Sequence, residues 1–348
     1  MIQFSSNESI LKDFSNPSIL KKINIINIFP VEPRMKKKLI SIFDYRELFV
    51  NLRYLRKLRF SRKEKIPFRI KRRYGRNELE TFVSDFWNGG YVYLETGDYL
   101  YLPSIQEMNV FWKLKEPYIP EQIIEKFSSP GSTVMDVGAN IGEWTLRMAN
   151  KVGPKGRVFS FEPIPIINQS LKKTLRVNNL FQVVLSQVAL DNCSGDSKFT
   201  IPLDKDDRAI HGESRLGTEE GNWNIFSEVG KTKTIKVKTF TLDQFASEKS
   251  VERLDFVKID VEGKELRVLE GGKETFSRFT PALILEVGCE EESDRKQITD
   301  LLRSWNYEIA GIVVAHGIIE IGWEQYITLD NPFIKKYPSN VLFLENHS

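Results

Sequence analysis

From Phe111 to its end the chain predicts an α/β fold with a mostly parallel sheet. Short apolar runs of strand length alternate there with amphipathic stretches of helical period, the pattern of strands joined by crossover helices. Several of those runs end in a carboxylate or a glycine turn, at Asp136 to Gly142, Glu162, Ala189 to Asp191, Lys258 to Gly263 and Glu286. Open α/β sheets bind their ligands outside the carboxyl ends of such strands. With 348 residues the chain exceeds one typical domain of about 100 to 200 residues, so a core domain with an appended piece is expected.

Taken in order, residues 1–33 are rich in Asn and Ser and interrupted by Pro17, Pro30 and Pro33, a weakly organised arm. Between Arg34 and Arg76, 17 Lys and Arg side chains meet only Asp44, Glu47 and Glu64. Leu39, Ile42, Phe43, Phe49, Leu52 and Leu55 recur in that block, predicting a helix with one apolar stripe and a cationic remainder. The stripe either docks on the core domain or leaves the charge to an anionic membrane surface, a glycan or glycolipid, or nucleic acid. Tyr91 to Pro103, YVYLETGDYLYLP, predicts a hairpin turning at Thr96 to Asp98. An N-terminal basic helical and aromatic extension over 1–110 and a core domain over 111–348 follow.

Core strands are expected near 133–136, 157–161, 183–188, 256–259, 282–287, 308–314 and 340–344. Helices are expected over 141–150, 165–178, 242–247, 264–276 and 291–305. The alternation breaks between Asp196 and Thr239, where Lys198 to Pro202 and Lys233 to Thr239 read as strands around a polar loop, 204–230. This is expected to be an inserted β-hairpin forming a substrate-facing flap.

The segment Ser132 to Gly142, STVMDVGANIG, compresses a buried strand, a carboxylate and a glycine-lined turn into one cradle. A redox dinucleotide requires three glycines as G-x-G-x-x-G; only Gly138 and Gly142 stand here, with Asn140 between them. Asp136 instead favours a cationic ligand, as the ammonium and sulfonium of S-adenosylmethionine would be. The next strand ends in Glu162, where a carboxylate commonly grips ribose hydroxyls. Each acid also has a plainer reading: Asp136 as a helix cap, Glu162 before Pro163 as a solvated loop acid.

Together DVGANIG at 136–142, FEP at 161–163, VALDN at 188–192, TLDQF at 241–245 and DFVKIDVEGKELRVLEGG at 255–272 resemble the FkbM-type S-adenosylmethionine-dependent methyltransferases. The resemblance implies a Rossmann-like class I methyltransferase sheet of seven strands, mostly parallel with the last antiparallel, and O-methylation of hydroxyls, frequently on sugars. It also implies cofactor contacts by Asp136, Gly138, Ala139, Asn140 and Gly142 at the methionine portion, by Glu162 and Pro163 at the ribose, and by Ala189 and Leu190 at the adenine.

Methyl transfer is an in-line displacement in which the acceptor oxygen loses its proton, so alignment and a base are needed. Asp260, at the end of the fourth core strand, is the candidate base. Glu262 lies beside it, and His211 on the flap competes for the role, its free pKa of about 6.5 being suitable. Lys258, inward in an apolar strand, is expected to pair with one of these acids, since a lone buried ammonium is costly. A metal is not expected, because three oxygen ligands are not apparent from Asp260 and Glu262 alone.

Hydrophobic residues at 41% and charged residues at 28% suit a globular protein, and Cys193 and Cys289 are too few for a disulfide framework. No run reaches the roughly 18 apolar residues of a membrane span, and no signal segment is evident. Cytoplasmic residence is expected, with the basic block allowing peripheral attachment to a membrane surface. The acceptor is expected to be a small molecule or glycan. A nucleic-acid methyltransferase is the alternative that the basic block raises, though the core lacks an Asn-Pro-Pro-Tyr-type base-flipping motif; a non-catalytic protein that keeps the cofactor fold is the other.

Overall fold

The structure, a computed structural model, describes residues 90–93, 97–103, 121–203, 207–217, 231–314, 317–332, 334 and 339–346. The arm, the basic stripe and most of the polar loop 204–230 lie outside these residues. The chain divides into two compact units, Met1–Gly97 and Asp98–Ser348. In the first, the described element is strand β1 (Gly90–Tyr93).

The second unit begins with β2 (Tyr99–Leu102), α1 (Glu121–Phe127), β3 (Thr133–Val137), α2 (Glu143–Val152), β4 (Arg157–Phe161), α3 (Pro165–Val177) and β5 (Val183–Ser186). The excursion follows as β6 (Ala189–Leu190), β7 (Gly195–Leu203), β8 (Arg215–Leu216) and β9 (Lys231–Phe240). The chain then returns through α4 (Leu242–Glu248), β10 (Phe256–Ile259), α5 (Glu265–Glu270), α6 (Lys273–Phe279) and β11 (Ala282–Val287). It closes with α7 (Glu292–Ser304), β12 (Tyr307–Val314), β13 (Gly317–Ile319), α8 (Trp323–Thr328) and β14 (Ser339–Glu345).

Eight strands form the main sheet in the order β13-β12-β14-β11-β10-β3-β4-β5. The seven expected core strands are all present, with β14 antiparallel between β11 and β12 and the short β13 added at one edge. Strand β3 sits centrally, parallel to β10 and β4. Its five residues are all buried, which is why it reads as a continuous apolar run broken only by Asp136. The period of two along β4 sorts its side chains. Phe159 and Phe161 meet Phe245 of α4 edge-on at 5.3 and 4.6 Å, whereas Ser160 faces the other side and meets Thr145 of α2.

The excursion forms a separate four-stranded sheet, β6-β9-β7-β8. Its spine is the β7–β9 hairpin, in antiparallel register from Gly195↔Thr239 to Leu203↔Lys231. One expectation fails here: the single helix over 264–276 is two helices. Gly271 and Gly272 interrupt it, and a Cβ on Gly271 would stand 2.1 Å from the carbonyl oxygen of Asp191, so the backbones meet where only glycine fits.

Candidate active site

The site grows from one transverse row of the sheet. Register places Lys258 of β10, Asp136 of β3 and Ser160 of β4 side by side. Thr145, the third residue of α2, lies against that row: its hydroxyl donates to Asp136 Oδ2 at 2.5 Å and is 2.9 Å from Ser160 Oγ. Asp136, Thr145 and Ser160 are fully buried. Burial raises the Asp136 carboxyl above its ordinary range, against the opposing pull of Lys258 and the Thr145 hydrogen bond. Asp136 Oδ1 is buried without a protein partner.

Beyond β3 the chain turns through left-handed backbone at Gly138 (φ 81°), Asn140 (φ 46°) and Gly142 (φ 94°). The turn is fastened to the end of β4. Gly138 and Ala139 donate their N–H groups to Phe161 O at 3.1 and 2.9 Å, and Asn140 N–H reaches Glu162 Oε2 at 3.0 Å. Glu162 Oε1 accepts Ile164 N–H at 2.7 Å, across the buried Pro163. Burial is the main cause that lifts Glu162 to about 7, offset in part by these backbone donors. Asn140 Oδ1, like Asp136 Oδ1, is a buried acceptor without a protein donor.

Next to this turn stand the carboxylates of β10 and β11. Gly138 packs against the main chain of Asp260: a Cβ there would lie 1.8 Å from Asp260 O. Lys258 Nζ, whose side chain is 3% exposed, bonds Asp260 Oδ2 at 2.7 Å and lies 5.8 Å from the Trp144 ring centre. Asp260 keeps 28% of its side-chain surface exposed. Oxygens of Asp260, Glu262 and Glu286 all come within 4.8 Å of one another. Burial alone would raise Asp260; the Lys258 ammonium and a hydrogen bond from Glu286 overcome it and hold this carboxyl below its usual range. Glu286 and Glu262 go the other way, pushed well above the ordinary range by burial and then by the charge of Asp260. One acid of the cluster is therefore kept ionised while its neighbours favour the proton.

The structure thus gathers Asp136, Gly138, Ala139, Asn140, Gly142, Glu162 and Pro163 on one side, and Lys258, Asp260 and Glu262 on the other. The expectation that a third oxygen ligand was lacking is corrected, because Glu286 completes a group of three. His211 opens the 3-10 turn His211–Glu213 within the β7–β9 excursion. That turn approaches the cradle at Gly212, where a Cβ would be 3.7 Å from Asn140 Nδ2. Ala189 and Leu190 form β6 in the second sheet, paired with Thr239 and Phe240, and Leu190 is buried in the same core cluster as Phe161 and Phe245. Thr145 and Ser160 were not foreseen; they carry no local signal, since only helix phase and strand register bring them to Asp136.

A cradle with two orphaned buried acceptors, left-handed turns and a following acid suits the amino-acid and ribose ends of an adenosyl sulfonium; Asp136, Asn140 and Glu162 would hold it. The sheet order and this cradle define the class, an α/β methyltransferase fold that uses S-adenosylmethionine. A profile described as "Methyltransferase FkbM domain" matches residues 136–309, and the chain belongs to that family. Among its relatives, the methyltransferase sdnD of Sordaria araneosa is 27% identical over 192 residues, covering 51% of this chain and 73% of that protein. The 2-O-methyltransferase NoeI of Sinorhizobium fredii is 27% identical over 162 residues, covering 46% of this chain and 65% of NoeI. A crystal structure of an FkbM methyltransferase from Methylobacillus flagellatus aligns with a TM-score of 0.38 at 17% identity, over 69% of this chain and 54% of that one. No helix among the described residues is long and apolar enough to cross a membrane.

Proposed function

We propose that this chain transfers the methyl group of S-adenosylmethionine to a hydroxyl oxygen of a sugar, glycan or glycolipid precursor. The observation that supports the reading is the close approach of Gly138 to the main-chain carbonyl of Asp260, which brings the cradle next to the carboxylate cluster. A relative named as a 2-O-methyltransferase supports oxygen as the acceptor atom. When bound, S-adenosylmethionine supplies an electrophilic methyl group on a sulfonium. Asp136 and Asn140, each with a buried acceptor lacking a protein donor, would hold its ammonium end, Glu162 and Pro163 its ribose, and Ala189 and Leu190 its adenine. Asp260 accepts the hydrogen bond of the incoming hydroxyl and orients it, with Lys258 fixing the carboxylate. When the hydroxyl oxygen takes the methyl group, its proton would pass to Asp260, the carboxylate that Lys258 and Glu286 keep ionised. His211 approaches from the flap as the competing base.

Titration calorimetry with S-adenosylhomocysteine tests the cradle. Asp136→Ala and Glu162→Ala are each expected to weaken binding by about 10-fold or more, the loss of one charged hydrogen-bond partner. Unchanged affinity in both would remove the cradle from the mechanism. Glu162 also sets a pH dependence. It is protonated below about 7, whereas ribose hydroxyls donate best to its ionised form. Affinity is therefore expected to rise with pH up to about 7 and level off above it, with proton release on binding. Glu162→Gln is expected to flatten the profile.

The three carboxylates are close enough to share a cation. Lys258 already supplies one positive charge to Asp260 at 2.7 Å, and a divalent ion requires about six oxygens. Dialysis against a chelator is expected to leave turnover unchanged; a loss reversed by magnesium would reassign the cluster to metal binding.

A further inference from the structure

The face of the sheet that holds the site carries two transverse rows. In the inner row Asp136 and Lys258 stand in register with Ile284 of β11 and Leu342 of β14, so the row turns apolar once it leaves β10. The outer row, two residues further along the parallel strands, stays polar. It passes from Asp260 to Glu286, one residue beyond the Ile259↔Leu285 pair, and on to Asn340, which lies directly opposite Glu286 on the antiparallel β14. Opposed residues of an antiparallel pair share a face, with Cβ atoms about 4.5–5.5 Å apart. Asn340 therefore extends the carboxylate cluster by one strand. It is an unusual residue for its place, because β14 continues as the buried apolar run Val341, Leu342 and Phe343, and strands are depleted in Asn. Asn340 is 7% exposed, and its Oδ1 is buried with no hydrogen-bond donor. The adjacent acid does not supply one, since Glu286 gives its hydrogen bond to Asp260. A buried acceptor left open is costly where a leucine of similar shape would not be, so this amide has a use outside the strand.

We infer that Asn340 is a specificity-determining residue of the acceptor site: its Oδ1 accepts a hydrogen bond from a second hydroxyl of the sugar whose reacting hydroxyl is held by Asp260. The inference rests on the methyl-transfer reading and deepens it, by stating what the acceptor carries besides the oxygen that is methylated. Neighbouring strands lie about 4.8 Å apart, so Asp260 and Asn340, two strands apart, are about 10 Å from backbone to backbone. That span is too wide for two adjacent hydroxyls and suits one across the ring from the reacting oxygen. An alcohol with a single hydroxyl leaves Asn340 unpaired, and so does a sugar deoxygenated at the far position. A site built around a hydrogen bond rejects the analogue that lacks it, because the buried polar group then goes without a partner.

The test uses the full chain saturated with S-adenosylhomocysteine, and its probes are the methyl glycosides of the common hexoses with their monodeoxy analogues, titrated by NMR. For the glycoside that the wild type binds best, removal of one hydroxyl that is not adjacent to the methylated position is expected to weaken binding by about 10-fold, the loss of one hydrogen bond. Asn340→Leu is expected to weaken the parent glycoside by a similar factor and to bind that one analogue as well as the parent, a coupling that only a direct contact produces. Affinity for S-adenosylhomocysteine is expected to stay at the wild-type value. The melting temperature is expected to equal or exceed that of the wild type, since an unpartnered buried acceptor has been replaced by an apolar group of similar shape. Should Asn340→Leu fail to fold, Asn340→Val, a stronger strand former, carries the same expectations. A marked fall in melting temperature, or a preference among the deoxy analogues identical to that of the wild type, would overturn the role of Asn340 and leave methyl transfer standing. Wild-type protein that binds S-adenosylhomocysteine but none of the glycosides would overturn it too. Absence of S-adenosylhomocysteine binding by the wild type would overturn the methyl-transfer reading itself.

Discussion

Gly138→Ala is expected to abolish methyl transfer and to weaken S-adenosylhomocysteine binding by about 100-fold, close to 2.7 kcal/mol at 1.36 kcal/mol per decade. Two costs combine at this position. The backbone is at φ 81°, where a side chain costs about 1–2 kcal/mol. The larger cost is steric, because the new methyl would stand 1.8 Å from Asp260 O. That atom is main chain, and Asp260 N–H is itself bonded to Val137 O at 3.0 Å, so no flexible tip can swing aside. The loop must open, and it carries Asn140 and its bond to Glu162 with it. Two other glycines calibrate the effect. At Gly142 a Cβ would meet the Leu171 side chain at 2.2 Å, a contact that repacking can relieve, so a milder loss is expected. At Gly131, also left-handed but with nothing within 4 Å of a Cβ, alanine is expected to lower the melting temperature slightly and leave binding unchanged. Titration and thermal unfolding on the three variants check the ranking. Gly138→Ala behaving like Gly131→Ala would mean that the turn is not the cofactor cradle.

The ease of reading the sequence follows the range of the interactions. Strands β3, β4, β10 and β11 are buried on both faces, so each leaves a continuous apolar run that needs no partner to be recognised. The Asp136 turn is legible for the same local reason, since glycines at 138 and 142 mark left-handed backbone. What the sequence hid depends on register and crossing. Thr145 reaches Asp136 only because α2 begins at Glu143, after Gly142, and lies over the Asp136–Ser160 row. Glu286 stands at a strand end like other candidates, yet its approach to Asp260 follows from the β10–β11 pairing, Ile259 opposite Leu285, which no local pattern encodes. The split between α5 and α6, by contrast, has a local signal: a Gly-Gly pair marks a turn, and the Asp191 backbone fills the space beside Gly271.

Asp260→Asn is expected to reduce turnover by about 100- to 10,000-fold, the range for loss of a positioned acid–base group, while S-adenosylhomocysteine affinity stays within about 2-fold. The argument is one of geometry and charge. Asp260 is the member of the acid cluster that Lys258 and Glu286 keep ionised, and it is the one bonded at 2.7 Å to an ammonium fixed in the sheet. Asparagine retains the shape but can neither carry the charge nor receive the hydroxyl proton. The objection that the substitution merely destabilises the protein has substance. Stripping one partner from a buried ion pair costs about 3–5 kcal/mol when the other charge is left behind. The double variant Lys258→Met with Asp260→Asn separates the two effects. Removing both charges is expected to restore most of the melting temperature lost in Asp260→Asn and none of the turnover, a coupling that stability shows and catalysis does not. Glu262→Gln serves as the neighbouring comparison: its carboxyl favours the proton already, so neutralising it is expected to cost less than neutralising Asp260. Turnover retained in Asp260→Asn, or lost equally in Glu262→Gln, would transfer the base's role away from Asp260, with His211 of the 3-10 turn as the next residue to replace.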